Sequence, residues 1–188
     1  MSQAKAGATI DDLYKVEGKA EIVNGELVLM SPTGSSSGRA GGVIYRSLLK
    51  YEEETGRGFA YPDNVGFVVD LPTRKSFSPD AAFYMGQPSG SKFLKGAPVF
   101  AAEVRSEEDY GPAAEKRLAA KRADYFAAGT KVVWDVDVIR DGWVRSHSAE
   151  RPDEPRIFRR GETAAAEPAL PGWGMPVDDI LRGSRRRR

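Results

Sequence analysis

The chain has no cysteine and a single histidine, His147. The first absence excludes disulfides, thiolate metal sites and a cysteine nucleophile, and it fits a reducing compartment. The second excludes a zinc site built from several histidines, and any Ser-His-Asp arrangement would depend on His147 alone. No stretch approaches the roughly 18 apolar residues of a membrane span, and the first residues lack the apolar core of a secretory signal. The expected location is therefore cytoplasmic. Neither G-x-x-x-x-G-K-[ST] nor G-x-G-x-x-G occurs, so nucleotide-binding folds have no support. A strong charge of one sign is also missing. The formal net charge is +1, and setting aside the four arginines 185–188 leaves 24 basic residues against 27 acidic ones. The body thus lacks the overall basic character of many nucleic-acid binders. What remains for catalysis is carboxylate, lysine and hydroxyl chemistry, and oxygen donors suit a hard cation such as Mg²⁺ or Mn²⁺.

The 188 residues, 40% hydrophobic and 29% charged, suit one soluble domain with a full core. That domain is expected over residues 1–183, followed by a basic tail, 184–188, that is either native or cloning-derived. Residues 1–9 are small and polar and are expected to fray. Residues 10–16 read as a short helix capped by Thr9. Asn24-Gly25 between two apolar runs signals a hairpin, because a type I′ turn needs positive φ at both positions. Residues 31–38 read as a loop of turn-formers, and Val43, Ile44, Ser47, Leu48 and Tyr51 form one stripe of a helix ending near Thr55. Gly41 and Gly42 weaken that helix unless they permit close packing. Strands are expected at 65–71, 77–85, 99–104 and 131–138. A helix over 112–128 has proline at its first position and Gly129 as its stop. Asp141-Gly142 turns into 143–145, 156–159 reads as an edge strand, and a coil leads to 178–181. This order predicts an α/β (α+β) fold with one mixed sheet flanked by helices.

The chemistry concentrates in residues 78–125. Asp80 and Glu103 interrupt apolar, strand-like runs, where a carboxylate must be paired, protonated or bound to a cation. The chain between them has room for a strand, a loop and a neighbouring strand. They are therefore either a pair sharing a cation or two strand-end acids that never meet. Lys121 shares a helix face with Ala114, Leu118, Tyr125 and Ala128, and there it either snorkels to the rim or meets a carboxylate. Arg122, on the next stripe, is its rival. Asp135 and Asp137 alternate with apolar residues and are either further ligands or ordinary acids on a polar sheet face. Glu107, Glu108 and Asp109 read as a solvated loop. A hydrolase built on Ser106 and His147 rests only on the presence of those residues.

Six segments in order, EIVNGELVLMSPTG, SPDAAF, AAEVRS, AAKRADYFAAG, VVWDVD and LPGWGMPVDDIL, resemble the Uma-type family of bacterial restriction-endonuclease-like proteins. That family falls within the PD-(D/E)xK nuclease superfamily. The resemblance implies a restriction-endonuclease-like core with an N-terminal β-hairpin, and Mg²⁺-dependent (or Mn²⁺-dependent) cleavage of DNA by a homodimer. It implies Asp80 and Glu103 as metal ligands and Lys121 as the catalytic lysine, displaced from the strand onto the helix. Glu21 becomes a further acidic contributor. The sequence departs from the pattern twice. Arg105 stands where the motif's lysine is usual, and arginine does not readily give up a proton. Ser35-Ser36-Ser37 stand where many members carry a histidine. The competing reading is a nuclease fold kept as a non-catalytic module binding nucleic acid or protein.

Overall fold

The computed structural model describes residues 7–182. The expected basic tail, 184–188, and residues 1–6 of the expected frayed start lie outside them. Helix α1 (Ile10–Leu13) is closed by a reciprocal box in which Thr9 Oγ1 accepts from Asp12 N and the Asp12 carboxylate accepts from Thr9 N. Strands β1 (Ala20–Val23) and β2 (Glu26–Leu29) form the N-terminal hairpin, with φ of 50° at Asn24 and 78° at Gly25 as the type I′ turn demands.

Helix α2 (Ser35–Thr55) begins inside the segment expected to be loop. The reason is tertiary. Buried Ser37 donates to the Arg105 carbonyl at 2.8 Å, so serines that locally favour a turn are held in the first helical turns. Then follow β3 (Phe59–Pro62), which was not anticipated, β4 (Phe67–Val68) and β5 (Ser76–Phe77). Strands β6 (Ala81–Tyr84), β7 (Leu94–Lys95) and β8 (Phe100–Val104) come next. The expected strand over 77–85 is broken between β5 and β6, because Pro79 has no N–H to offer a ladder. That break leaves Asp80 at the mouth of β6. Helix α3 (Pro112–Ala127) leads into β9 (Val132–Asp137), β10 (Trp143–Ser148) and β11 (Arg151–Arg159). Strands β12 (Thr163–Ala165) and β13 (Gly174–Pro176) and helix α4 (Val177–Ile180) close the description.

The central sheet runs β11-β10-β9-β8-β6-β3, with β8 and β9 parallel and the other pairs antiparallel. This is the expected mixed sheet flanked by helices. Helix α3 is the crossover that a parallel pair requires. Ile44 and Leu48 of α2 pack with Phe100, Ala102, Trp134 and Trp173 on one face. Tyr125 of α3 packs with Phe77, Ala82, Ala101 and Val133 on the other. Alternation along β8 therefore turns Glu103, two residues from Ala101, toward α3.

Gly41 and Gly42 have opposite surroundings. A Cβ on Gly41 would sit 3.2 Å from the Asp80 carbonyl oxygen and 3.4 Å from Asp80 Cβ, whereas one on Gly42 meets nothing within 4 Å. Gly42→Ala should therefore stabilise the protein by roughly 0.5–1 kcal/mol through helix propensity. Gly41→Ala should lose that gain to the clash with Asp80 and lower the melting temperature. Equal melting shifts for the two variants would refute this packing.

Candidate active site

Asp80 is fixed by backbone. Its N–H donates to the Ala102 carbonyl at 3.0 Å, and its Oδ2 accepts from Val104 N at 2.7 Å. The carboxylate thus lies across the end of β8 beside Glu103. Its Oδ1 accepts from Lys19 Nζ at 3.0 Å, and the same ammonium donates to Asp63 Oδ1 at 2.7 Å. Glu103 Oε2 accepts from Lys121 Nζ at 2.9 Å and its Oε1 from the Tyr125 hydroxyl at 2.6 Å. Lys121 also lies 2.9 Å from Glu21 Oε1, which accepts from Ser78 N. Arg74 holds the other oxygen of Glu21 and donates to Asp124 Oδ2 at 2.9 Å. The structure therefore brings Glu21, Glu103 and Lys121 into one bonded network and sets Asp80, paired with Lys19, close enough beside it to push the Glu103 carboxyl up. Lys121 meets carboxylates rather than snorkelling.

Electrostatics follow from this crowding. Burial pushes the Glu103 carboxyl up, Lys121 pulls it back, and Asp80 and Glu21 push it up again, for a net rise. Burial also pushes Glu21 up, but Lys121 and Arg74 outweigh it and hold its carboxyl below the usual range. Burial favours neutral Lys121, yet Glu103 and Glu21 prevail and raise its ammonium above the ordinary lysine value. At neutral pH Lys121 remains charged, so it can stabilise negative charge but cannot take a proton from water.

Arg105 is buried and points away from this centre. It makes two 2.7 Å bonds to Asp135, further bonds to Glu115, and one to the Asp109 carbonyl, with Trp143 5.0 Å from its guanidinium. The residue in the usual lysine place is a structural pin. Asp135 and Asp137 are accordingly not acids of a polar face, because both are buried. Asp137 accepts from Tyr110 and from the backbone N–H groups of Ile139, Arg140 and Asp141, which closes the turn after β9. Asp109 is not simply solvated either, since it accepts from Ser106 and pairs with Arg117. Ser106 and His147 do not meet. Ser106 Oγ donates to Asp109, while His147 Nδ1 bonds the Pro152 carbonyl and burial holds its imidazole below the usual value. Arg122 is half-buried near Asp135 and Glu115 rather than turned fully to solvent.

The family profile described as "Uma2: Putative restriction endonuclease" matches residues 9–178. The chain belongs to the Uma2 family. No curated protein is similar enough to match it. Among solved structures it is similar to "a putative nuclease belonging to DUF820 from Anabaena variabilis ATCC 29413". The TM-score is 0.72 at 13% identity, with 93% of this chain and 98% of that one covered. At that identity the likeness concerns the fold. Uma2 membership supports a nuclease-like function for the chain, and among the described residues no helix is long and apolar enough to cross a membrane.

Sequence reading missed four charged contributors in this Uma2 chain: Lys19, Asp63, Arg74 and Asp124. Lys19 carries a faint signal, since it lies two residues before Glu21 and would share its side of an extended strand. Asp63 and Arg74 sit among turn residues and carry none.

Proposed function

We infer that the chain hydrolyses DNA phosphodiester bonds with Mg²⁺ or Mn²⁺ held by Asp80 and Glu103. The observation that carries this reading is the placement of Asp80, at the mouth of β6, on the backbone N–H of Val104 next to Glu103, whose carboxyl it pushes up, beside a lysine that bridges Glu103 and Glu21. Oxygen donors fit a hard cation. Five carboxylates, on Glu21, Asp63, Asp80, Glu103 and Asp124, face only three cations, on Lys19, Arg74 and Lys121, so excess negative charge is available to hold one. Among the described residues no cluster of three or more His, Cys, Asp or Glu could enclose a metal. Two carboxylates with water and phosphate completing the shell is the usual manner for Mg²⁺. Such an ion would polarise the phosphate and acidify an attacking water. Lys121 places positive charge beside Glu103, where charge grows on the phosphate. Glu21 keeps Lys121 ionised and in place, and Tyr125 fixes the rotamer of Glu103. A homodimer belongs to the same proposal, since two copies would bring a centre to each strand of a duplex.

Two measurements test this. Mn²⁺ or Mg²⁺ should raise the melting temperature of the wild type by mass action and support nicking of plasmid DNA. Asp80→Ala should lose both responses. An unchanged metal-induced shift in Asp80→Ala rejects the metal assignment. A normal shift without any cleavage supports instead the module that binds without cutting.

A further inference from the structure

Every oxygen of the two proposed ligands is already engaged. Asp80 uses Oδ2 for Val104 N and Oδ1 for Lys19, while Glu103 uses Oε2 for Lys121 and Oε1 for Tyr125. Each carboxylate oxygen has a second lone pair, so the neutral Val104 and Tyr125 donors can share it with a metal. The two ammonium groups are different, because a unit charge close to a divalent cation repels it strongly. Both lysines have the same arrangement around them. Lys19 spans Asp80 at 3.0 Å and Asp63 at 2.7 Å; Lys121 spans Glu103 and Glu21, each at 2.9 Å. Each therefore touches one ligand and one acid outside the ligand pair.

Taking the metal reading above as its basis, the geometry points to Lys19 as a resident cation that exchanges with the divalent ion, with Asp63 as the carboxylate that retains it after it leaves Asp80. Two observations, together with the role proposed for Lys121, single out Lys19. Its contact to Asp63 is shorter than its contact to Asp80, so withdrawal keeps the better partner. Asp63 is itself partly open to water, with 39% of its side chain exposed, whereas Glu21 is 3% exposed and shared with Arg74. An ammonium moving toward Asp63 thus moves toward solvent and regains hydration, while one moving toward Glu21 goes deeper. Lys121 also has a catalytic use for its charge. Lys19 and Asp63 are positioning residues in this scheme. They set how tightly Asp80 takes the metal, and they keep Asp80 neutralised and oriented before the metal arrives.

The scheme predicts opposite signs from neighbouring substitutions. Titration of the protein with MnCl₂, followed by calorimetry without DNA, gives the affinity directly. Lys19→Met should tighten Mn²⁺ binding about tenfold, because one competing unit charge is gone. Asp63→Asn should weaken it several-fold, because Lys19 then has only Asp80 to hold. In a Lys19→Met background, Asp63→Asn should have almost no further effect, which is the coupling expected of a shared interaction. Damage to the fold would lower the affinity of Lys19→Met, so tightening cannot arise that way. Binding by Lys19→Met that is unchanged or weaker than wild type overturns the exchange while leaving the metal reading intact. Absence of Mn²⁺ binding in both wild type and Lys19→Met overturns the metal reading and the exchange together.

Discussion

Lys121→Ala is expected to lose metal-dependent cleavage of DNA by roughly 10²–10³-fold, the usual consequence of removing one group that stabilises transition-state charge. The loss should fall on kcat at saturating DNA rather than on KM, since the group acts where charge develops. The fold should survive with a lower melting temperature. Glu21 keeps Arg74 and Ser78 N, and Glu103 keeps Tyr125 and, with its carboxyl already pushed up, can protonate. Assays belong well below that melting temperature, with Lys121→Arg as a variant that keeps the charge. Arg122→Ala should change cleavage far less. The two side chains leave the helix about 100° apart, and only Lys121 reaches Glu103. Wild-type rates for Lys121→Ala would remove its catalytic assignment. The next candidate would then be Lys19 rather than Arg105, because Lys19 alone of the two touches Asp80.

Arg105→Ala should instead destabilise the protein by about 3–5 kcal/mol, because it strands a buried carboxylate. Asp135 is 5% exposed and receives both of its short bonds from Arg105, which is itself 3% exposed. For a chain of this size each kcal/mol moves the melting temperature by roughly 2–4 °C, so a fall on the order of 6–20 °C is expected. Arg105→Lys should recover only part of it, since an ammonium cannot match the two parallel bonds to Asp135. Asp135→Ala added to Arg105→Ala should cost much less than the sum of the two single losses. A melting point within two degrees of wild type would refute the role of Arg105 as a pin.

The parts legible in the sequence are those governed by nearby residues. Asn24-Gly25 dictates its own turn, Pro112 and Gly129 bracket α3, and the β-branched run before Asp135 could hardly be anything but a strand. Asp80 and Glu103 were visible because acids inside apolar runs need a reason to be there. What escaped depends on distant partners. Lys19 reaches across 61 residues to Asp80 and 44 to Asp63, so no local pattern marks it. The helical start at Ser35 follows from Ser37 meeting the carbonyl of Arg105, 68 residues on. Spacing alone placed Arg105 at the usual lysine position. A neighbouring strand supplied Asp135 and turned that arginine into scaffold.

The crossover between β8 and β9 also bears on synthesis. The centre gathers residues from Lys19 through Tyr125, and α3 packs in part against Val133, of a strand made later still. A nascent chain that ends before Val132 leaves β8 without its parallel neighbour and α3 without that support. Its carboxylates and Lys121 then rest on a sheet that lacks the parallel half of its centre. On the proposed function, the order of elements is itself a safeguard: truncated products of translation or proteolysis carry the acids but lack the strand that completes the sheet beside them.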